Sequence, residues 1–426
     1  MTLRADLGFA DFTSYSQYRN EEVDASIELD YSGVEYIQLG LPNDNETWTQ
    51  EFLLTSKPGT PLQWTAGLFY FQNTDTYRVY FDYFPAIGSF SRCCKFGSSA
   101  TAVSYAAFLD MTYEVTPQLF VTAGARYAYD KIKDGYAQAA FAPVIPVTAA
   151  QYKQVNDGRL TPRFVIRYKP TSEMSIYASY TKGYKSAIFD FGKGVPIPVK
   201  PETIDAFEVG FKYDNGGLSF ETSAFYYDYK NLQVSLYETG TATIINAATS
   251  EIYGMDAQFR WRVSPAFTVN AGAAWVHARY KKFLNAPVYQ RCPGVFTCGG
   301  GGDTFFVPGT LLRNVTMQRT PEFTGNIGAV YMADVGGGEL TLSGNLAYTS
   351  SFYFGPSGIQ FKQKGYEVLS LRAQWDDPTD TFFVALWGDN VTNNRYKTQV
   401  QYNLPGIGVN YAKPITFGGE IGFKFR

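Results

Sequence analysis

The last stretch of the chain alternates strictly between two kinds of residue. From Ile415 to Phe425 every second position is apolar or glycine, and the positions between them are polar or small. This period of two predicts a β-strand whose two faces meet different surroundings. About ten residues suffice for a strand tilted by roughly 45° to cross the hydrocarbon layer of a bilayer. We expect this strand to act as the closing strand and assembly signal of a transmembrane sheet, through Ile415, Phe417, Ile421, Phe423 and Phe425.

The same alternation recurs along the chain, in pairs of runs separated by tight turns. Runs such as 62–70, 119–127 and 207–213 place apolar residues at every second position, which predicts β-hairpins. We count about seventeen strands, of which the first is a short one from Thr2 to Asp6. The tight turns, rich in Gly, Pro, Asn and Asp, lie at residues 57–61, 115–118, 169–173, 214–217, 263–265, 334–338 and 376–380.

Much longer connections lie between these hairpins. Short turns and long connections alternate throughout, as in bacterial outer-membrane barrels, which have short periplasmic turns and long external loops. A large soluble all-β protein is the alternative, but it has no reason to place its long loops at one end. The expected fold class is therefore all-β: an antiparallel up-and-down transmembrane β-barrel. The long connections span residues 20–46, 75–98, 131–156, 183–201, 230–250, 281–314, 350–363 and 393–409.

Composition agrees with membrane strands and not with membrane helices. Of the 426 residues 45% are hydrophobic and 17% aromatic, and 40 are glycine, yet no apolar run reaches the length of a membrane helix, about 18 residues. Mild hydrophobicity with many aromatic residues is typical of a chain in which every other residue faces lipid. The net charge of −3 offers no basic surface, so we expect no nucleic-acid partner.

Signs of catalysis are few. The chain has one histidine, His277, so a Ser-His-Asp hydrolase site would depend on it alone. Its neighbours Trp275, Val276 and Tyr280 favour a position at the membrane interface instead. The glycines of residues 299–303 fit a flexible loop tip better than a phosphate or calcium loop, and no other nucleotide or metal motif is present. We expect neither an enzyme nor a bound cofactor.

The four cysteines lie in two of the predicted external connections. Cys292 and Cys298 flank a short span that a disulfide can close in an oxidising compartment. Cys93 and Cys94 are adjacent, and they either form a strained vicinal disulfide or pair elsewhere. A four-cysteine zinc site would need two loops to converge without the usual Cys-x-x-Cys spacing, so we expect no metal site.

Several blocks of the chain resemble, in their order and spacing, the barrel of TonB-dependent receptors, the active transporters of the outer membrane. The first block is Thr47–Ser56 followed by Trp64–Tyr70. The resemblance covers essentially the whole chain, so residues 1–426 are identified as one partial β-barrel domain of this family. The later blocks lie at residues 123–127, 176–185, 201–212, 246–256 and 388–396 and in the Phe-rich last strand.

The resemblance implies a barrel of about 22 strands whose lumen is filled by an N-terminal plug domain. Counted back from the last strand, this chain matches about the last seventeen, and we expect the plug, its TonB-contacting segment, a signal peptide and the first strands to be absent. The first and last of seventeen alternating strands run parallel, whereas sixteen strands could close through the strand near Asp11. We expect an open or improvised curved sheet with the strand from Ile415 to Phe425 as a free edge.

The resemblance also implies a function, which is active transport of a scarce nutrient across the bacterial outer membrane, most often a ferric siderophore. The implied partners are outer-membrane lipid, the barrel-assembly machinery, a small ligand such as an iron chelate, and TonB by way of the missing plug. A passive porin-like pore or a non-functional barrel fragment is the alternative. No binding residue is carried over from the family, although loop aromatics suit a planar ligand: Tyr77, Tyr80, Phe81, Tyr83, Phe84, Phe189 and Phe191.

The alternation assigns each strand residue to the lipid or to the interior. The side chains predicted to face lipid are Leu119, Val121, Ala123, Phe207, Val209, Phe211, Phe417, Ile421 and Phe423. Those predicted to face the interior are Arg126, Glu208, Lys212, Glu420 and Lys424.

The two faces should respond differently to charge. A lysine or arginine facing the middle of the bilayer costs about 2–4 kcal/mol, so Val209→Arg is expected to impair membrane assembly far more than Lys212→Glu. Heat-modifiability on gels and the amount of protein in the outer-membrane fraction measure this. Equal assembly of the two variants would contradict the assigned faces.

Overall fold

The structure, a computed structural model, describes residues 1–28, 37–83, 91–139, 154–190, 197–238, 241–246, 249–286, 288–291, 304–306, 310–355, 362–403 and 406–424. Within these ranges the regular secondary structure consists of β-strands alone. In chain order the strands are β1 (Thr2–Asp6), β2 (Ala10–Val23), β3 (Ser26–Glu28), β4 (Ile37–Gly40), β5 (Asn43–Ser56), β6 (Leu62–Tyr83), β7 (Ser91–Thr116), β8 (Leu119–Ala139), β9 (Gln154–Tyr168), β10 (Met174–Lys185), β11 (Ile188–Asp190), β12 (Ile197–Val199), β13 (Glu202–Asp214), β14 (Leu218–Lys230), β15 (Gln233–Glu238), β16 (Thr241–Asn246), β17 (Thr249–Ser264), β18 (Phe267–Leu284), β19 (Tyr289–Arg291), β20 (Thr304–Phe306), β21 (Leu311–Thr316), β22 (Phe323–Val335), β23 (Gly338–Thr349), β24 (Phe352–Tyr353), β25 (Lys362–Gln363), β26 (Tyr366–Asp376), β27 (Phe382–Asp389), β28 (Lys397–Asn403), β29 (Gly406–Tyr411) and β30 (Thr416–Phe423).

One sheet of 20 strands dominates the described residues. Three of its strands, β3, β4 and β21, are short extensions at the ends of longer strands, and the other seventeen form an antiparallel meander in chain order from β1 to β30. The predicted all-β, up-and-down fold and the count of about seventeen strands are therefore confirmed. Each of the seven predicted tight turns joins two neighbouring strands of the meander, so all seven lie at the same end of the sheet.

The long connections contain far more β-structure than their description as loops implies. β6 and β7 continue their pairing through most of residues 75–98, where Phe81 lies opposite Cys93. Five other connections carry small hairpins of their own, formed by β11–β12, β15–β16, β19–β20, β24–β25 and β28–β29. The prediction that residues 75–98 form a loop was wrong because alternation continues there with polar residues on both faces, a pattern that marks a strand beyond the membrane as readily as a loop.

The predicted lipid-facing residues share one face of the sheet. Directly paired residues of neighbouring strands project to the same side, and Val121 is connected through the pairing ladder to Val209. On this face Val209 is 56% exposed and Phe417 80% exposed, as expected for side chains that meet lipid instead of a protein core. One row of paired residues on this outward face consists of Val121, Ile166, Ala178, Val209, Ala224, Met255 and Trp275.

The opposite face carries the predicted interior charges, and contacts on it skip a strand. The Arg163 guanidinium on β9 lies 2.8 Å from the Asp110 carboxylate on β7, across β8. Arg372 on β26 lies 2.9 Å from Glu420 on β30, across β27. Next-but-one strands are about 9.6 Å apart in a flat sheet, so these side chains meet because the sheet curls toward this face. It is therefore the inner face.

The sheet is open at both ends, as predicted. Among the described residues β1 pairs only with β2, and β30 pairs only with β27. No ladder joins the first twenty residues to the last strand in this part of the chain. Phe417, Ile421 and Phe423 of β30 face outward, Ile415 lies one residue before the strand, and Phe425 falls outside the described residues. Their role as an assembly signal remains a prediction.

The turn between β26 and β27 is held by one buried carboxylate. Asp377 accepts hydrogen bonds from the backbone N–H groups of Thr379, Thr381 and Phe382 at 3.0, 2.6 and 2.7 Å, and from the Thr379 hydroxyl. Burial by itself raises the pKa of Asp377, but these hydrogen bonds hold the pKa well below its usual range. The resulting stabilisation is present above the ordinary carboxyl pKa of about 3.9 and is lost as the pH falls through the lowered value.

Aromatic rings on the inner face lie over glycines of the neighbouring strand. The Tyr177 ring covers Gly210, its cross-strand partner, and a Cβ at Gly210 would lie 2.4 Å from ring carbons. The Tyr177 hydroxyl donates a 2.5 Å hydrogen bond to Glu208. Glycine is thus required at position 210 for close approach.

Gly210→Ala is expected to destabilise the sheet by about 1–3 kcal/mol, the usual cost of overpacking, because the Tyr177 ring must leave Glu208. The matched control is Gly217→Ala, since a Cβ at Gly217 would meet its nearest neighbouring atom at 3.7 Å. Urea unfolding of the two variants in detergent micelles measures the difference. Equal midpoints would show that the ring does not require the glycine.

Candidate functional site

The inner face is a polar wall built from alternate residues of each strand. On neighbouring strands Tyr177 donates to Glu208, and Ser223 donates a 2.6 Å hydrogen bond to Asp256. Lys212 forms a 2.9 Å ion pair with Glu221 on the same face. Because these groups pair with one another across strands, the wall is polar without leaving isolated buried charges.

A cleft of about 660 Å³ lies along this wall. It runs over the strands from β14 to β23, where small residues such as Gly272 and Gly325 alternate with the polar side chains. Asp256, Gln258, Arg260, Asn270 and Asn326 line it. These side chains offer both donors and acceptors, so the cleft suits a polar surface, such as a folded protein segment, better than an apolar ligand.

The external connections that follow β10, β14 and β18 pack into one folded layer. Val234, Tyr280, Phe283 and Ala286 form a small buried core there. The backbone N–H of Ile244 donates to the Asp190 carboxylate at 2.9 Å, which ties the β15–β16 hairpin to β11. A core and tertiary hydrogen bonds make this layer a structured platform above the end of the sheet.

Aromatic and cationic side chains gather at the external ends of the last strands. Tyr366, the first residue of β26, stacks on Tyr396 with ring centroids 4.0 Å apart and planes 6° from parallel. By the alternation of β26, Tyr366 lies on the same face as Arg372, the inner face. The Arg395 guanidinium lies 4.3 Å from the centre of the Tyr411 ring. This group, Tyr366, Tyr396, Arg395 and Tyr411, is called the mouth cluster below.

In the mouth cluster uncharged tyrosine side chains lie beside a positively charged arginine. Burial, followed by the neighbouring Tyr366, raises the pKa of the Tyr396 phenol, so it stays protonated at neutral pH. Arg319, which lies between β21 and β22, is 5.2 Å from the Phe354 ring of the connection after β23, and Lys362 in that connection lies 5.5 Å from the Tyr353 ring. Stacked rings with adjacent cations suit a ligand that is planar, anionic or both.

The structure brings few of the sequence-predicted site residues together. Cys292, Cys298, residues 299–303, Phe84 and Phe191 lie outside the described residues. Cys93 and Cys94 lie in β7, and the pairing of all four cysteines stays a prediction. Among the loop aromatics Phe189 is buried in the external layer, and the other four belong to β6: Tyr77, Tyr80, Phe81 and Tyr83.

His277 has partners that do not form a catalytic triad. Its ring stacks on Tyr253 with centroids 4.8 Å apart, and its Nε2 accepts a 2.8 Å hydrogen bond from Arg279. The Glu322 carboxylate lies 3.8 Å from its Nδ1. Tyr253 and His277 are paired on the outward face, which agrees with the predicted interface position.

The sequence alone does not single out the mouth cluster. Tyr366 and Tyr396 are far apart in the chain and are brought together only when the connection after β27 folds back on β26. The one signal is that Asn394-Arg395-Tyr396 belongs to a block that resembles the receptor family. Nothing in that pattern distinguishes a ligand contact from an aromatic anchor at the membrane interface.

Two kinds of feature are absent from the residue ranges that the structure describes. In those ranges no helix is both long and apolar enough to cross a membrane. No group of three or more His, Cys, Asp or Glu side chains is arranged there to hold a metal ion.

Comparison with known proteins places this geometry in a family. The pesticin receptor of Yersinia enterocolitica is 20% identical over 329 residues, which are 76% of this chain and 44% of the receptor. The ferric yersiniabactin uptake receptor FyuA from Yersinia pestis has a TM-score of 0.79 at 17% identity over 100% of this chain and 60% of its own. The siderophore receptor PiuA from Acinetobacter baumannii has a TM-score of 0.71 at 16% identity, covering 99% and 62%.

This chain therefore spans less than half the length of the pesticin receptor and about three fifths of the two solved receptors. The structural likeness at these identities shows the fold. The model of the TonB-dependent receptor-like β-barrel family matches residues 1–391. Because that match takes in nearly the whole chain, the protein belongs to the TonB-dependent receptor β-barrel family of the bacterial outer membrane.

Proposed function

We propose that this chain forms most of the wall of an outer-membrane receptor that imports a ferric siderophore, with energy supplied through TonB. The observation that carries the proposal is the mouth cluster, because its stacked tyrosine pair includes Tyr366 of the inner face, and the residue next to Tyr396 carries a guanidinium. A ferric yersiniabactin uptake receptor and a siderophore receptor among the similar structures support it.

The chemistry of the mouth cluster fits a ferric chelate. Chelates of iron present planar donor groups and often a net negative charge, and each finds a partner here. A planar group extends the stack of Tyr366 on Tyr396, while Arg395 provides a charge that does not depend on pH. A 2.8 Å hydrogen bond from the Asn394 side-chain amide to the Glu367 carbonyl holds the connection after β27 against β26 before the ligand arrives, which lowers the entropy lost on binding.

The polar inner wall is compatible with the TonB-coupled reading, and the match to the TonB-dependent receptor-like family favours that reading over the passive pore. Tyr177, Glu208, Asp256 and Arg260 offer hydrogen bonds to a folded protein segment seated in the lumen, as the plug of this family is. A plugged receptor needs an energy input to release its ligand inward. An open porin-like pore would let solutes of suitable size pass without any input.

Iron uptake tests the proposal directly. Cells grown under iron limitation are given radioactive iron complexed with a panel of siderophores, with the gene intact or deleted and with TonB present or absent. The expected result is uptake of one siderophore that requires both the gene and TonB. Uptake that requires the gene but persists without TonB would establish the passive pore, and unchanged uptake after deletion would reject the transport role.

Substitutions in the mouth cluster test the site. Tyr396→Ala is expected to weaken siderophore binding by roughly tenfold, the factor given by the loss of about 1.4 kcal/mol of stacking and contact area. Arg395→Gln should weaken the binding of an anionic chelate more than that of a neutral one. Binding is measured by the quenching of intrinsic fluorescence in purified receptor.

The matched control for these variants is Tyr348→Leu, which changes an exposed outward-facing tyrosine on β23. It should leave siderophore affinity unchanged. If Tyr348→Leu and Tyr396→Ala weaken binding equally, the loss reflects a general disturbance of the barrel and the mouth cluster is not the site.

A further inference from the structure

The outward face shows three consecutive rows of cross-strand paired residues on the strands from β9 to β18. The first row is the apolar one that contains Val209 and Met255. The second, one step toward the external end, is an aromatic row: Phe164, Tyr180, Phe207, Tyr226, Tyr253 and His277. The third is an ionic row: Lys182, Asp205, Asp228, Glu251 and Arg279.

The order of these rows locates the border of the membrane. Aromatic residues are concentrated at membrane–water interfaces, and charges lie beyond them. Asp205 lies nine residues before Asp214, where β13 ends at a tight turn. With about 3.3 Å per residue and a tilt of about 40°, this places Asp205 about 23 Å above that turn, near the top of an apolar band that is about 25 Å tall.

Three lysines lie close to the carboxylates of the ionic row: Lys182, which belongs to the row, and Lys230 and Lys281. The Lys182 and Lys230 ammonium groups lie 3.7 and 3.5 Å from the Asp205 carboxylate, which also accepts a 2.8 Å hydrogen bond from the Tyr180 hydroxyl. Lys281 lies 2.8 Å from the Glu251 carboxylate. Three carboxylates on adjacent strands would repel one another, and the lysines offset this repulsion.

Two of these lysines retain hydrogen-bonding capacity. Their distances to Asp205 exceed the 2.7–3.2 Å of a direct hydrogen bond, and an ammonium group has three donors. The side chains of Lys182, Lys230 and Lys281 are 39%, 54% and 42% exposed, whereas that of Asp205 is only 18% exposed. The cations thus form the accessible layer of the cluster, and the carboxylate beneath positions them.

We propose that Lys182, Lys230 and Lys281 bind the phosphate groups of a glycolipid in the outer leaflet of the outer membrane. The long connections place this end of the sheet on the external side, as in other outer-membrane barrels. The cluster is continuous with the lipid-facing surface and lies at headgroup level, where phosphate groups bring several oxygen acceptors to lysines on alternate strands, β10, β14 and β18. Positive charge at a membrane surface attracts anionic headgroups in the same way elsewhere.

A lipid-binding measurement on the full chain tests this proposal, using protein extracted from outer membranes in detergent. The probes are lipid A with its phosphates and the same lipid after dephosphorylation, counted as bound adducts by native mass spectrometry. The triple variant Lys182→Gln, Lys230→Gln and Lys281→Gln is expected to bind phosphorylated lipid A at least about fivefold more weakly. This lower bound corresponds to the loss of ~1 kcal/mol, the contribution of one lysine near a membrane surface. The matched control, Lys212→Gln on the inner face, should bind it as the unaltered chain does.

The variant Asp205→Asn tests whether the lipid is held by the positive charge of the lysines or by the intact cluster of lysines and carboxylates. It removes the carboxylate that competes with phosphate for Lys182 and Lys230, so the preference for phosphorylated over dephosphorylated lipid A should be kept or increased. A loss as large as in the triple lysine variant would overturn the assignment, because the intact cluster, and not its positive charge, would then hold the lipid. Equal binding of the two lipids by the unaltered chain would overturn it as well.

Discussion

The backbone hydrogen-bond ladder is the constraint on which the rest of this structure depends. In lipid no water is present to satisfy an exposed N–H or C=O group, so each strand must be paired on both sides wherever it crosses the membrane. Antiparallel pairing in a meander meets this requirement with local connections for every strand between the two open edges, β1 and β30, and it forces side chains to alternate between two faces. The outward row that contains Val209 and the inner pair of Tyr177 with Glu208 are two results of the same ladder.

The two faces carry different functions because they meet different solvents. The outward face contacts lipid. Toward its external border, apolar residues are followed by aromatic residues and then by the ionic row. The inner face presents polar groups to whatever occupies the lumen, and the mouth cluster extends it to the outside. The external hairpins can vary in length and sequence without disturbing the ladder, since they lie beyond the membrane. In the proposed receptor, selectivity for a ligand could therefore change while the wall stays the same.

The sequence predicts the features that repeat and misses those that depend on contacts between distant segments. Strand positions, tight turns and the facing of Val209, Lys212 and Glu420 follow from a period of two, which is written in each strand separately. The extension of β6 and β7 through residues 75–98 was missed because polar residues on both faces of a strand resemble a loop. The stack of Tyr366 on Tyr396 could not be predicted, since it exists only once the connection after β27 folds back on β26.

The ion pairs that skip a strand, Arg163 with Asp110 and Arg372 with Glu420, have a mechanical consequence. Each ion pair links two strands across the strand that lies between them, on the inner face of the curved sheet. Flattening the sheet would pull its two charges apart. Both pairs are partly exposed, and an exposed ion pair contributes at most about 1 kcal/mol, so resistance to flattening comes mainly from the ladder and the ion pairs add a small part. In the proposed receptor, motion would then be concentrated in the external hairpins, which form small sheets of their own outside the ladder of the main sheet.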